Sequence, residues 1–279
     1  MIRTRFGEAM ILLALTAFGF VFIYPLLWLL FSSVKPNNEI FSSVGLIPTE
    51  FIWNAYAKGW QGIGKNGFST FFLNSFRIVV PVVLLTALSS IFIAYGFARF
   101  RFPLKNLLFT LMLSTLMLPD AVIMIPRYLL YKNFGWLNTY LPFYIPSLLG
   151  VHAFFIYMLI QFLRGIPREL DEAAIMDGCG SFRILTGVLL PLCWPALVSV
   201  CLFQFLWTWN EFFNTLIYVN SVSKFPVSLG LRMVLDTEGA VHWNQVMAMA
   251  VVSMLPCILI FFIAQKQLTD SVATTGLKG

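Results

Sequence analysis

Between Arg77 and Arg99 the chain reads IVVPVVLLTALSSIFIAYGFA (residues 78–98), without one Asp, Glu, Lys or Arg. Wound as an α-helix at about 1.5 Å per residue, such a stretch crosses the roughly 30 Å hydrocarbon layer of a bilayer. The signature recurs. Residues 9–34, 133–163, 184–210 and 239–265 are equally free of charge, and a sixth stretch, 106–126, is interrupted only by Asp120 near one end. A helix bonds its backbone internally, as hydrocarbon demands, and the stretches lack the alternating polar positions of barrel strands. The expected fold class is an all-α membrane protein with six transmembrane helices. The spans are expected at about 9–33, 72–98, 106–126, 141–163, 189–213 and 244–265, in a single domain covering residues 1–279.

Composition excludes a soluble reading. Hydrophobic residues make up 59% and charged residues 11%, against about 25% charge in ordinary soluble domains. Mean hydropathy is +0.84, and the chain holds 29 Phe and 8 Trp. The net charge of +6 is spread along the chain in a way that argues against nucleic acid. With the N-terminus in the cytoplasm, the inner segments 1–8, 99–105, 164–188 and 266–279 carry ten basic residues: Arg3, Arg5, Arg99, Arg101, Lys105, Arg164, Arg168, Arg183, Lys266 and Lys278. The outer segments, about 34–70, 127–140 and 214–243, are longer in total and carry fewer. Basic residues collect on the cytoplasmic side of spans, so both termini are expected inside the cell.

Two further patterns are weighed and set aside. The apolar run after MIRTR is too long for a signal-peptide core and has no small-residue cleavage pattern, so it reads as an uncleaved first span. Gly59, Gly64 and Lys65 have the spacing of a phosphate-binding loop, but Asn66 stands where Ser or Thr would hold magnesium and no buried strand precedes them. The chain therefore offers no nucleotide site of its own. Its four cysteines, Cys179, Cys193, Cys201 and Cys257, have no metal-ligand spacing and read as core residues.

The acidic residues concentrate in one cytoplasmic segment, RELDEAAIMDGCG (168–180), which holds Glu169, Asp171, Glu172 and Asp177. The pattern predicts a short helix with Pro167 in its first turn and three acids where the helix dipole favours negative charge. Gly178 and Gly180 can supply the left-handed backbone that ends a helix. Ser181 suits the cap of a second helix that continues into the fifth span before Pro191. Leu170, Ala173, Ala174 and Asp177 share one face, whose alanines let another protein approach closely. No histidine lies near enough to complete a metal or acid–base set, so no catalytic residue and no metal ligand is assigned.

The segment resembles the cytoplasmic EAA signature of ABC importer permeases, E-A-A-x-x-x-G-x9-I-x-L-P. Here it comprises Glu172, Ala173, Ala174 and Gly178, then nine residues and VLLP ending at Pro191, with Val188 in place of the usual Ile. SSVKPNNEIF, NSFRI, AYGFARFRFP, WNEFFNTLIYV and the terminal TTGLKG are similar to the second, MalG-like permeases of the carbohydrate, maltose-type subfamily, over roughly residues 9–279.

The resemblance implies a subunit of the bacterial plasma membrane that carries no cofactor, with ATP and magnesium bound by a partner ATPase. Its partners would be a second homologous permease, an ATPase dimer, a substrate-binding protein outside the membrane, and lipid. Residues 164–188 would form the coupling loop between spans four and five. Glu172, Ala173, Ala174, Asp177, Gly178 and Pro191 would be the ATPase-coupling residues, with the C-terminal tail contacting the ATPase dimer. A helix continuous with the fifth span would transmit ATPase closure as rigid-body motion. The solute implied is a sugar or oligosaccharide, with glycerol 3-phosphate as the alternative because Arg77, Arg127 and Arg232 lie towards the outer side.

Polar residues inside spans are functional candidates. His152 lies midway along span four, Gln204 within span five, and Trp209, Asn210 and Glu211 at its outer end. They either line the translocation path, with Trp207 or Trp209 stacking on a sugar ring, or bridge helices. Asp120 and Arg127 either pair or sit at the interface. An intramembrane enzyme built on His152 with Glu211 or Asp120 would need these residues at one depth, which their positions along the spans disfavour.

Overall fold

The computed structural model describes residues 5–43, 45–62, 66–235 and 241–276. Gly64 and Lys65 of the phosphate-loop-like spacing, Arg3, Lys278 and the end of the terminal TTGLKG lie outside these residues. The described chain is α-helical and divides into two compact units. The first comprises residues up to Phe71 together with Gly230–Leu255, and the second Phe72–Leu229 together with the chain from Pro256 onwards.

In the first unit α1 (Arg5–Ser32) leads into a loop and then α2 (Asn54–Gln61). From Met10 to Phe31 no residue is buried, and most of the apolar side chains there face outward, as suits a helix whose solvent is hydrocarbon. The SSVKPNNEIF stretch after it is tied down by its own polar groups. Lys35, almost wholly buried, donates to Gly45 O. Asn37 donates to Val241 O at 3.1 Å and accepts from the Trp243 amide at 2.6 Å. Gly59 of α2 lies so close to Met249 that a Cβ there would sit 2.9 Å from Met249 Cγ.

The second unit begins inside α3 (Phe68–Arg99), the helix that contains the stretch 78–98. Next come α4 (Lys105–Thr115) and α5 (Asp120–Asn133), whose axes differ by 102°. Pro119 causes the break: it stands extended at ψ 134°, and a residue preceding proline is steered away from the helical region. Pro126 is accommodated inside α5. The fourth apolar stretch forms α6 (Leu141–Leu148) and α7 (Ala153–Gly165), separated at Gly150, which has φ +74°.

After α7 follow α8 (Glu169–Met176), α9 (Ser181–Ile184), a π-helical turn at Leu185–Leu189, α10 (Leu190–Leu192) and α11 (Trp194–Trp209). The remaining helices are α12 (Phe213–Tyr218), α13 (Val227–Leu235) and α14 (Trp243–Gly276), with a 3₁₀ turn at Val222–Lys224. The ends of α13 and α14 that belong to the first unit close the chain's passage through it. Among the described residues four helical segments are long and apolar enough to cross a membrane, and up to six if each bent pair counts as one crossing.

The core of the second unit is built on α7. Ile156, Ile160 and Leu163 on one stripe and Phe155 and Leu159 beside it are at most 2% exposed. That spacing of three and four residues places them on one helical face. They pack with Ile91, Ala94, Tyr95 and Ala98 of α3, with Ala174 of α8, and with Leu189, Leu197 and Val200 along the path into α11. A smaller cluster joins Val79, Phe205 and Trp209, with Phe72, Phe76 and Ile260 against it.

Candidate functional site

The segment from Pro167 to Pro191 folds as a helix, a tight turn and a second, irregular helix. Pro167 stands just ahead of α8, whose first backbone bonds run from Asp171 N–H and Glu172 N–H to Arg168 O at 2.9 and 3.1 Å. Glu169, Asp171 and Glu172 occupy its first turn, where four amides have no partner within the helix. The helix ends in a Schellman motif. Cys179 N–H donates to Ala174 O and Gly178 N–H to Ile175 O, both at 2.9 Å, with Gly178 at φ +77°. Gly180, the other expected helix breaker, is extended at φ −74°. It occupies the cap position of α9 itself, so Ser181 is the first helical residue and makes no side-chain cap bond.

Glu172, Ala173, Asp177 and Gly178 are exposed, whereas Ala174 turns inward against Ile184, Leu185 and the α7 core. Pro191 is exposed in α10. Beside Glu172 and Ala173 the open surface is apolar: Met176 is 87%, Phe182 67% and Ile175 59% exposed. An acidic residue and exposed apolar side chains thus share the open surface of this segment.

The expected rigid continuity into the fifth span is not found. The chain bends by 78° between Leu192 and Trp194. Pro191 and Pro195 each remove an N–H that would bond four residues back, and the widened π-helical turn immediately precedes Pro191.

What holds the segment was not foreseen. Arg99, the last residue of α3, places Nε 2.7 Å from Asp171 Oδ2, with both side chains largely buried. Its Nη2 donates to Ile166 O at 3.1 Å, and the Tyr95 hydroxyl one turn earlier donates to Ser181 O at 3.0 Å. In the sequence Arg99 and Asp171 were a cytoplasmic cation and a helix-start acid. Their meeting depends on tertiary folding that neither local pattern announces.

The polar candidates within the spans do not converge. His152 lies at the break between α6 and α7 rather than inside a helix, with Nε2 3.3 Å from Ser147 Oγ. Ser89 Oγ donates to Ser147 O at 2.7 Å. Gln204 is buried; its Nε2 donates to Thr208 Oγ1 at 2.8 Å, while its Oε1 has no hydrogen-bond partner among the described residues. Trp209 is enclosed by Phe72, Phe76 and Phe205, with ring centroids 5.6, 5.0 and 5.4 Å away. Asn210 Nδ2 donates to Leu206 O at 2.8 Å, and the Glu211 carboxylate accepts from the Asn214 amide at 3.0 Å. Asp120 and Arg127 pair at 3.0 Å. Among the described residues no three His, Cys, Asp or Glu side chains are placed to hold a metal ion.

Comparison with known proteins decides which kind of membrane protein carries this segment. Residues 88–274 match the family described as the binding-protein-dependent transport system inner membrane component. The chain belongs to this family. It is an ABC importer permease, a multi-pass membrane subunit and not an enzyme.

The permease is 31% identical over 256 residues to the diacetylchitobiose uptake system permease protein NgcG of Streptomyces coelicolor, covering 91% of this chain and 83% of that one. It is 30% identical over 249 residues to the sn-glycerol-3-phosphate transport system permease protein UgpE of Yersinia pestis, covering 88% of each. It is 29% identical over 264 residues to the arabinooligosaccharides transport system permease protein AraQ of Halalkalibacterium halodurans, covering 94% and 93%. Its fold is similar to the crystal structure of a bacterial ABC transporter involved in the import of the acidic polysaccharide alginate. There the TM-score is 0.84 at 21% identity, over 95% of this chain and 98% of that one.

Proposed function

We propose that this permease carries a sugar or oligosaccharide across the bacterial plasma membrane, with both termini cytoplasmic and six crossings. In this reading α8 is the coupling helix. Glu172 reaches a basic residue in a cleft of the ATPase, exposed Ala173 lets the two backbones approach, and Gly178 turns the chain away. The ATPase dimer binds ATP and magnesium, and a second homologous permease completes the pore. A binding protein delivers solute to the outer loops, including 219–243, of which residues 236–240 lie outside those described. Closure of the ATPase draws the coupling helices together and turns the pore outward. Gln204, with a buried oxygen that lacks a partner among the described residues, and His152, at a helix break, are the path residues best able to meet a hydroxylated solute.

The observation that carries the coupling role is the E-A-A-x-x-x-G sequence on an exposed helix closed by a left-handed glycine. Support for the sugar comes from relatives named for diacetylchitobiose and arabinooligosaccharides. The relative named for sn-glycerol 3-phosphate supports a phosphorylated polyol as the second reading.

Two measurements test the proposal. Glu172→Lys should abolish uptake in vesicles containing the whole transporter while the chain still inserts; normal uptake by that variant overturns the coupling role. Mass spectrometry of the solute retained by the co-purified binding protein should show a neutral saccharide. A phosphorylated polyol there selects the second reading.

A further inference from the structure

The bend after Leu192 poses a mechanical question, since the route along the chain from α8 into α11 passes through a π-helical turn and two prolines. Such a path yields where a straight helix would push. The contacts of α3 supply another route. Its inner end grips α8 from both flanks, through Arg99 on Ile166 before the helix, Arg99 on Asp171 within it, and Tyr95 on Ser181 after it. Tyr95, Ala98, Ala174 and Ile184 lie in the same packed core.

The outer part of α3 grips a different segment. Asn74 Nδ2 donates to Ser223 O at 2.8 Å and to Phe225 O at 3.1 Å, and Ser75 Oγ accepts from the Val227 amide at 2.9 Å. Asn74 and Ser75 are almost fully buried there. Residues 74 to 99 of one helix span about 38 Å at 1.5 Å per residue.

We infer that α3 is the strut through which the cytoplasmic segment and the outer loop 219–227 sense each other, with Arg99 and Asn74 as positioning residues at its two ends. The inference rests on the proposed coupling role of α8. It adds that motion of α8 is delivered to α3 by a buried charge pair and reaches the outer surface without passing through the bent junction. A buried pair of this kind contributes little net stability over an apolar replacement; its use is to fix one orientation of α8 on α3.

Hydrogen–deuterium exchange on the complete transporter, with and without the ATP analogue AMP-PNP, separates the two readings. In the wild-type complex both 168–180 and 219–227 should change their exchange when the analogue binds. In Arg99→Ala the change at 168–180 should remain while that at 219–227 falls by about fivefold or more, the low end of coupling between sites. Arg99→Lys, which keeps the charge, should restore most of it. Asn74→Ala should give the same loss from the other end.

If Arg99→Ala fails to assemble, Tyr95→Phe removes one hydrogen bond and no charge, and should weaken the outer response to a smaller degree. An outer response that persists at full size in the assembled Arg99→Ala or Asn74→Ala complex overturns the strut, as does one that persists in Tyr95→Phe where that variant stands in. No change at 168–180 in the wild type instead overturns the docking of α8, whatever the outer loop does.

Discussion

The amide of Cys179 donates to the carbonyl of Ala174 across a left-handed Gly178, 2.9 Å from nitrogen to oxygen. That bond joins two functions at one turn. It ends α8, leaving Glu172 and Ala173 on an exposed surface, and it lies directly behind the inward-facing Ala174.

The first prediction concerns that turn. A Cβ at Gly178 meets nothing within 4 Å, so Gly178→Ala is penalised only by its backbone conformation, about 1–2 kcal/mol. Gly178→Pro is worse, because proline cannot adopt φ +77° and lacks the N–H that bonds Ile175 O. Uptake should fall modestly in the alanine variant, disappear in the proline variant, and survive best in Gly178→Asn, since asparagine tolerates this region. Equal uptake by all three would show that the turn does not matter for transport.

Trp209 and Trp207 make the second. Trp209 is enclosed by three phenylalanines, whereas Trp207 is half exposed beside Phe154 and Phe155. Trp209→Ala should destabilise the protein by about 3–5 kcal/mol, as large aromatic truncations in packed cores do. Trp207→Ala should cost about 1 kcal/mol, the scale of an aromatic pair. Thermal unfolding in nanodiscs checks the order; a stable Trp209→Ala that loses transport would return Trp209 to the solute path.

Two ion pairs in the same unit give the third. Asp120 is 85% exposed where it meets Arg127, while Asp171 is largely buried where it meets Arg99. Asp120→Asn should change stability by less than about 1 kcal/mol, with salt reducing even that. Asp171→Asn leaves a guanidinium buried without its counter-charge and should cost about 3–5 kcal/mol. Melting temperatures at low and high salt distinguish them, and equal effects would contradict the difference in burial.

The apolar stretches were readable because lipid excludes charge, so a charge-free run of sufficient length announces itself. Pro119 marked its break for the same local reason, a missing donor and a restricted predecessor. Gly178 was legible because a helix end at φ +77° favours a residue without Cβ, yet nothing local told it apart from Gly180. The inward faces were harder. With no polar stripe to orient α11, alternating tryptophans look alike, and only packing buries Trp209 and leaves Trp207 half open. Hardest were Arg99 and Asp171, each with a satisfactory local explanation that concealed their meeting across the fold.

The break in the fourth apolar stretch yields the last prediction. Gly150 stands at φ +74°, and a Cβ there would lie 2.2 Å from Ile93 Cδ1 of α3. Gly150→Ala is thus penalised twice, by about 1–2 kcal/mol for the left-handed backbone and by about 1–3 kcal/mol for overpacking against Ile93. The two parts can be separated, because Ile93→Ala removes the obstructing methyl and leaves the backbone conformation alone. The double variant should therefore be more stable than the sum of the single effects implies, with a coupling close to the overpacking cost. Strict additivity in thermal unfolding would mean that α6 and α7 relax away from α3. His152, two residues on, would then keep its contact with Ser147 while shifting relative to α3.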